Sequence, residues 1–386
     1  MLNFSFHAPT RIHFGRDQVR QLTSEIPAGS RVLLTSGGSS IRVNGVLEAV
    51  LAQLAHCTVI EFAGIEPNPE FETLRRAVEL GRREQADWVL AVGGGSVIDG
   101  SKWIAAALDL DPAIDPWLLV GNKTRVRSAR PLGVVLTLPA TGAESNHVGV
   151  ISRRETQDKQ SFRSEHVFPR FAVLDPCFTF SLPPRQVGNG VVDAFVHTLE
   201  QYLTYPVDAR VQDRMAEGIL QTLIEVGPQT LAEPGNYDAR ANYMWAANQA
   251  LFGLVGAGQP QDWASHAIGH ELTALYGLDH ARSLSVIVPA LLQYCRADKA
   301  GKLLQYGQRV WGLAGSDAGI IDAAIAATRD FFVRMGLPVT LAEAGIDAAE
   351  AALRVEANLP RHKPQPVGEH GKLTPADCAA IVRMSV

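Results

Sequence analysis

Cysteine is scarce in this chain, and no cysteine motif is present. Cys57, Cys177, Cys295 and Cys378 are scattered over 386 residues without CxxC spacing. That excludes a disulfide framework and a zinc ribbon, and leaves four structural thiols, mostly in apolar segments. Long apolar runs are missing too: the stretch 132–140 falls far short of the roughly 18 residues that suggest a membrane span. Residues 1–11 have neither a basic n-region nor an apolar h-region, so no secretion signal is expected and the protein reads as soluble and cytoplasmic. Nor is there a basic excess. The 35 Lys and Arg against 40 Asp and Glu leave a net charge of −5, which argues against a nucleic-acid partner. No internal repeat, low-complexity tract or GxGxxG fingerprint is found.

A chain with 46% hydrophobic and 19% charged residues is a compact globular one, and 386 residues exceed one ordinary core. Residues 1–15 alternate loosely around Ala8-Pro9 and predict a short hairpin. Short apolar runs at 31–35, 58–62, 88–92, 133–137 and 171–174 alternate with helical periods. Between the last two, a hairpin with a polar tip at 153–158 is expected. This rhythm predicts a mainly parallel sheet covered by helices. From Leu182-Pro183-Pro184 onward no period-2 segment is found. Helical periods run instead through 186–204, 208–231, 237–254, 261–276, 281–296, 300–314 and 319–336. Weaker signals follow: a helix at 347–357, a proline-rich loop at 360–366, and a last helix from Thr374. The expected fold is an α/β dinucleotide-binding domain over 1–180, followed by an all-α metal-binding domain over 181–386.

The strand at 88–92 runs into Gly93-Gly94-Gly95-Ser96-Val97-Ile98-Asp99 at a helix start. Glycines let a backbone approach a phosphate, and the free N–H groups and helix dipole favour its charge. A tight strand-to-helix turn explains the same glycines equally well. The turn after the first strand, Ser36-Gly37-Gly38-Ser39-Ser40, lies where an open α/β sheet receives an adenosine ribose. Sites for NAD usually place an acid there to bind the 2′-hydroxyl. Here there are only hydroxyls, with Arg42 nearby, so NADP(H) is the expected cofactor.

The chain has only 11 histidines, and three of them fall within His266, His270 and His280. Asp193 and His197 are four apart, as are His266 and His270, so each pair shares a helix face. An isolated Asp-x-x-x-His is more often a surface contact than a ligand pair, but together these residues suit one divalent ion, Fe²⁺ or Zn²⁺. Spacing leaves open whether His266 pairs with His270 or with His280. The other histidines lack a partner pattern and read as structural or solvated. Lys159 in its polar hairpin, and Glu200 and Glu217 on helix faces, read as solvated, and the six tryptophans as core.

Four segments together resemble the iron-containing, or group III, alcohol dehydrogenases. They are Gly93-Gly-Gly-Ser96-x-x-Asp99-x-x-Lys102, Thr137-Leu-Pro-Ala-Thr141-Gly-Ala-Glu144-Ser, Asp193-Ala-x-x-His197, and His266-x3-His270-x9-His280. Leu182-Pro-Pro-Arg-Gln186 and Gly269-His-Glu-Leu-Thr-Ala274 are similar to the bacterial NADPH-dependent aldehyde reductase branch. Asp279-His280-Ala281 stands where many members have Pro-His-Gly, and Gly142-Ala143-Glu144 where many have Gly-Ser-Glu.

The resemblance implies that Asp193, His197, His266 and His280 bind the metal, while His270 lines the active site as a candidate proton relay. It implies that Gly94, Gly95 and Ser96 cradle the pyrophosphate, with Asp99 in the same motif. Thr137, Thr141, Asn146, Lys159 and Leu182 would line the adenine and nicotinamide positions. The implied reaction is hydride transfer between NADP(H) and aldehyde/primary alcohol pairs, by a homodimer. A lyase of the dehydroquinate-synthase type would need a basic cluster for a phosphorylated, carboxylated substrate. Arg210 and Arg214 are one turn apart, but Arg240 and Arg282 stand alone. A non-catalytic metal- and nucleotide-binding module is a third reading.

Overall fold

Most apolar runs of the first half form strands buried on both faces, as a parallel sheet requires, while the edge run at 58–62 is only partly buried. The computed structural model describes all 386 residues. Its strands are β1 (Arg11–Phe14), β2 (Arg31–Ser36), β3 (Thr58–Phe62), β4 (Trp88–Gly94), β5 (Leu132–Leu138), β6 (Val148–Arg153), β7 (Asp158–Arg163) and β8 (Phe171–Leu174). Six of them make one sheet in the order β1-β8-β5-β4-β2-β3, and every pairing in it is parallel. β6 and β7 form a separate antiparallel hairpin.

Alternation along the strands sorts the side chains into two cores. Leu33, Val89, Ala91 and Val134 join one, while Val32, Leu34, Leu90, Val92 and Val135 join the other. Helices α1 (Leu22–Glu25), α2 (Ser40–Val43), α3 (Val46–Gln53), α4 (Phe71–Arg83) and α5 (Gly95–Leu108) lie between the strands in sequence. Val46, Leu47 and Val50 of α3 belong to the second core. Leu74 and Val78 of α4, with Ile98, Trp103 and Ile104 of α5, belong to the first. The helical period after the first strand is thus broken in two, at Asn44-Gly45, because Gly45 turns the chain with φ +80°.

The second half is helical: α6 (Pro184–Tyr202), α7 (Arg210–Ala232), α8 (Tyr237–Ala250), α9 (Ala264–Tyr276), α10 (His280–Tyr294), α11 (Ala300–Arg309), α12 (Asp317–Arg334), α13 (Ala348–His362) and α14 (Pro375–Met384). From Val187 to Tyr202 α6 is buried on every side, which is the position of a central helix. The chain separates into two compact units, His7–Leu182 with Pro234–Met244, and Met1–Phe6 with Pro183–Glu233 and Trp245–Val386. Two segments therefore depart from a single cut near residue 180, and the division falls inside α8.

Other expectations are corrected. Residues 1–15 form no hairpin: β1 takes all its partners from β8, with Arg11 opposite Phe171, since a short strand gains more from an existing sheet edge than from an isolated two-stranded pair. The stretch 360–366 is not wholly loop, because α13 continues through Pro360 to His362. Trp245 is exposed rather than core.

Candidate metal centre

α6 carries Asp193 and His197 one turn apart, and both are buried, at 3% and 4% exposure. α9 brings His266 and His270, and α10 begins at His280. Two details let α9 and α10 converge. Gly277 ends α9 in the left-handed region with φ +68°. A Cβ on Gly269 would lie 2.8 Å from Ser283 Oγ and 3.1 Å from Leu284 Cδ2, so glycine permits the close approach. Asp279, just before His280, accepts hydrogen bonds from Arg185 Nε (3.0 Å), Arg185 Nη2 (2.7 Å) and Asn189 Nδ2 (3.1 Å), which ties the start of α10 to α6.

The result is that one donor atom each from Asp193, His197, His266 and His280 lies within 4.8 Å of the others. Asp193 Oδ1 is 3.8 Å from His197 Nε2 and 3.6 Å from His280 Nε2. Both distances are long for hydrogen bonds. Donors at roughly 2.1 Å from one tetrahedral ion stand about 3.4 Å apart, close to what is found. The imidazoles of His197 and His266 stack at 4.7 Å, and His280 meets His266 edge-on at 5.1 Å. His266 bonds through Nδ1 to Glu200, and its Nε2 is buried with no hydrogen-bond partner. An acceptor lone pair left in that position inside the protein fits a cation. One carboxylate with three imidazoles is a donor set for Fe²⁺ or Zn²⁺. The His270 ring stands beside the group, 5.3 Å from His280 and 6.2 Å from His266.

Sequence reasoning missed Glu200. Its charge suggested an exposed face, yet it is buried at 6% and receives both Ser265 N–H (2.8 Å) and His266. Spacing held the signal: Asp193, His197 and Glu200 sit at i, i+4 and i+7 on one helix face. Glu217 is buried as well, where it accepts the Tyr202 hydroxyl at 2.9 Å.

In the sheet unit, Gly37, Gly38 and Ser39 form the turn between β2 and α2, Ser40 opens α2, and Gly38, Ser39 and Ser40 are exposed. Arg42 pairs with Glu61 at 2.5 Å. Gly94 and Gly95 join β4 to α5, whose N-terminus has no side-chain cap. A Cβ on Gly95 would stand 2.5 Å from Thr141 Oγ1, so that glycine also serves packing. Ser96 Oγ accepts Asn68 N–H at 3.2 Å, and Lys159 donates to Asn68 Oδ1 at 2.8 Å. Lys159 is buried rather than solvated. Asn146 accepts from Lys102 Nζ (2.9 Å) and Val148 N (3.0 Å) and donates to Gly142 O (2.9 Å). Thr137, at the end of β5, and Leu182 are half-buried. Asp99 accepts Val150 N–H at 3.0 Å. Burial pushes its carboxyl up to about 6, against the pull of Lys102 and that N–H. Burial likewise brings the Lys102 ammonium down to about 8.

Comparison with known proteins gives the family. Residues 9–176 match the family described as iron-containing alcohol dehydrogenase, and 188–385 match the Fe-containing alcohol dehydrogenase family, C-terminal. The chain belongs to the iron-containing alcohol dehydrogenase family. It is 56% identical over 377 residues to the NADPH-dependent aldehyde reductase YqhD of Escherichia coli (strain K12), covering 97% of each chain. It is 38% identical over 352 residues to NADH-dependent butanol dehydrogenase A of Clostridium acetobutylicum, covering 90% of each. The crystal structure of E. coli K-12 YqhD superposes with a TM-score of 0.98 at 54% identity, over 100% of this chain and 99% of that one. An iron-containing alcohol dehydrogenase is an oxidoreductase, and membership sets the lyase aside. Of the arginines weighed for a lyase, Arg210 pairs with Asp208 at 2.7 Å, and Arg240 is buried. No helix is long and apolar enough to cross a membrane.

Proposed function

We propose that the protein is a broad-range aldehyde reductase, interconverting aldehydes and primary alcohols with NADP(H) and one divalent ion. The observation that carries this reading is the convergence of Asp193, His197, His266 and His280 on one point, in a chain 56% identical to an enzyme named as an NADPH-dependent aldehyde reductase. When bound, the ion supplies Lewis-acid polarisation of a carbonyl oxygen, and the reduced nicotinamide supplies the hydride.

The chain's own residues would supply position and protons. Asp193, His197, His266 and His280 would hold the ion. His270, beside the cluster but outside the ligand set, would pass a proton through its imidazole to the product oxygen. The uncapped start of α5, with Gly94, Gly95 and Ser96, would face the pyrophosphate. The open turn Gly37, Gly38, Ser39 and Ser40, which carries no acid, and exposed Arg42 support accommodation of a 2′-phosphate. Asp99, Thr137, Thr141, Asn146, Lys159 and Leu182 belong to the same proposed cofactor site. A homodimer working in the cytoplasm completes the proposal.

Following NADPH oxidation over a panel of aldehydes, with and without a chelator, tests it. Turnover that the chelator abolishes and added Fe²⁺ or Zn²⁺ restores is the expected result. Binding of NADPH and metal with no turnover of any aldehyde would overturn it.

A further inference from the structure

We propose that Glu200 is the positioning residue for His266: it fixes the tautomer and plane of that imidazole so that Nε2 faces the ion. The inference rests on the metal reading above and assigns a role to a residue outside the ligand set.

Glu200 lies one turn beyond His197 on α6, and no cation is its partner there. One carboxylate oxygen accepts Ser265 N–H at 2.8 Å and the other meets His266 Nδ1. The two bonds grip adjacent residues at the start of α9, so the carboxylate orients the helix and the ring together. Asp262 N–H also donates to Glu200 O at 3.0 Å, and the Asp262 side chain accepts Ala264 N–H at 2.8 Å. That chain of bonds joins α6 to the α9 N-terminus across 66 positions of sequence. An ionised carboxylate has no proton to give and can only accept from Nδ1, so the ring proton sits on Nδ1 and the Nε2 lone pair is left over. Nε2 is the buried atom without a hydrogen-bond partner. The ring has no freedom to turn away, because His197 stacks on one face and the Trp263 ring stands edge-on at 5.2 Å. Trp263 holds a left-handed backbone at φ +59°, as strained residues near functional sites do. Removing an outer partner of a metal-bound histidine typically costs about 10- to 100-fold in metal affinity.

The test is Glu200→Gln in the full chain. Glutamine keeps the size, but its single acceptor oxygen cannot serve both Ser265 N–H and His266 Nδ1–H. Zn²⁺ affinity is measured by competition with a chromophoric chelator, the Co²⁺ ligand-field spectrum is recorded, and the metal-free protein is melted. Zn²⁺ affinity lower by about 10- to 100-fold, with a shifted Co²⁺ spectrum and an unchanged metal-free melting temperature, is the expected outcome. Parental Zn²⁺ affinity with a parental Co²⁺ spectrum would overturn the assignment. If Glu200→Gln does not fold, Glu200→Asp, which keeps the charge and loses the reach, is read in the same way. A parent chain that binds neither Zn²⁺ nor Co²⁺ would overturn the metal reading itself, a result distinct from failure of the Glu200 assignment.

Discussion

His197 of α6 and His266 of α9 stack with ring centroids 4.7 Å apart and planes 26° from parallel. Two imidazoles held face to face, each with a donor in the same cluster, must both be neutral to share one cation.

Metal and turnover should therefore disappear together. Converting Asp193 or His266 to Ala removes one of four donors, and metal analysis should find the variants largely empty and inactive. Dialysis of the parent against chelator should give the same inactive state, reversed by Fe²⁺ or Zn²⁺. A metal-free variant with full activity would overturn the mechanism.

His270 should separate from the ligands in the opposite way. His270→Ala is expected to keep one metal per chain while kcat falls by about 10²- to 10⁴-fold, the usual range for a lost general acid. Loss of metal along with kcat would place His270 among the ligands instead.

Cofactor choice should respond to the pair Arg42 and Glu61, 2.5 Å apart and both exposed. Arg42→Ala should raise KM for NADPH roughly tenfold, about 1.4 kcal/mol, and leave KM for NADH nearly unchanged. Glu61→Gln, which frees the guanidinium from a competing carboxylate, should lower KM for NADPH. Equal changes for both cofactors would remove Arg42 from 2′-phosphate recognition.

Asp99 should leave a signature in stability against pH. Its folded value of about 6 lies above the ordinary 3.8, so between these values the native state binds more protons than the unfolded one. Its contribution is greatest below the lower value and is lost as pH rises through the upper one. Relative to Asp99→Asn, the parent should lose on the order of 1–3 kcal/mol across that window. Urea titrations of both proteins at a series of pH values give the difference directly. Parallel curves would mean that Asp99 is not desolvated as the structure has it.

The α/β unit and the helical half were legible because their signals are local. The runs that became β2, β4 and β5 are Val- and Leu-rich and end in glycine or small polar turns, and the later helices are set off by Gly and Pro breaks. The edge strand β1 was not legible, since its partner β8 lies 160 residues away in sequence, Arg11 opposite Phe171. Local pattern there suggested a hairpin.

For the metal cluster, sequence alone determined the candidates: an Asp and a His one turn apart on one helix, and three histidines within a short stretch. Spacing could not choose between His270 and His280, because both can approach His266. Tertiary structure decided the geometry. Gly269 lets α9 and α10 come together, Arg185 and Asn189 anchor Asp279 beside His280, and the donors of Asp193, His197, His266 and His280 converge while His270 stands beside them. It also turned Glu200 from an apparent surface charge into the buried partner of His266. Burial and contact over long chain separations depend on how helices pack, and the periodicity of a single helix carries no record of its neighbour.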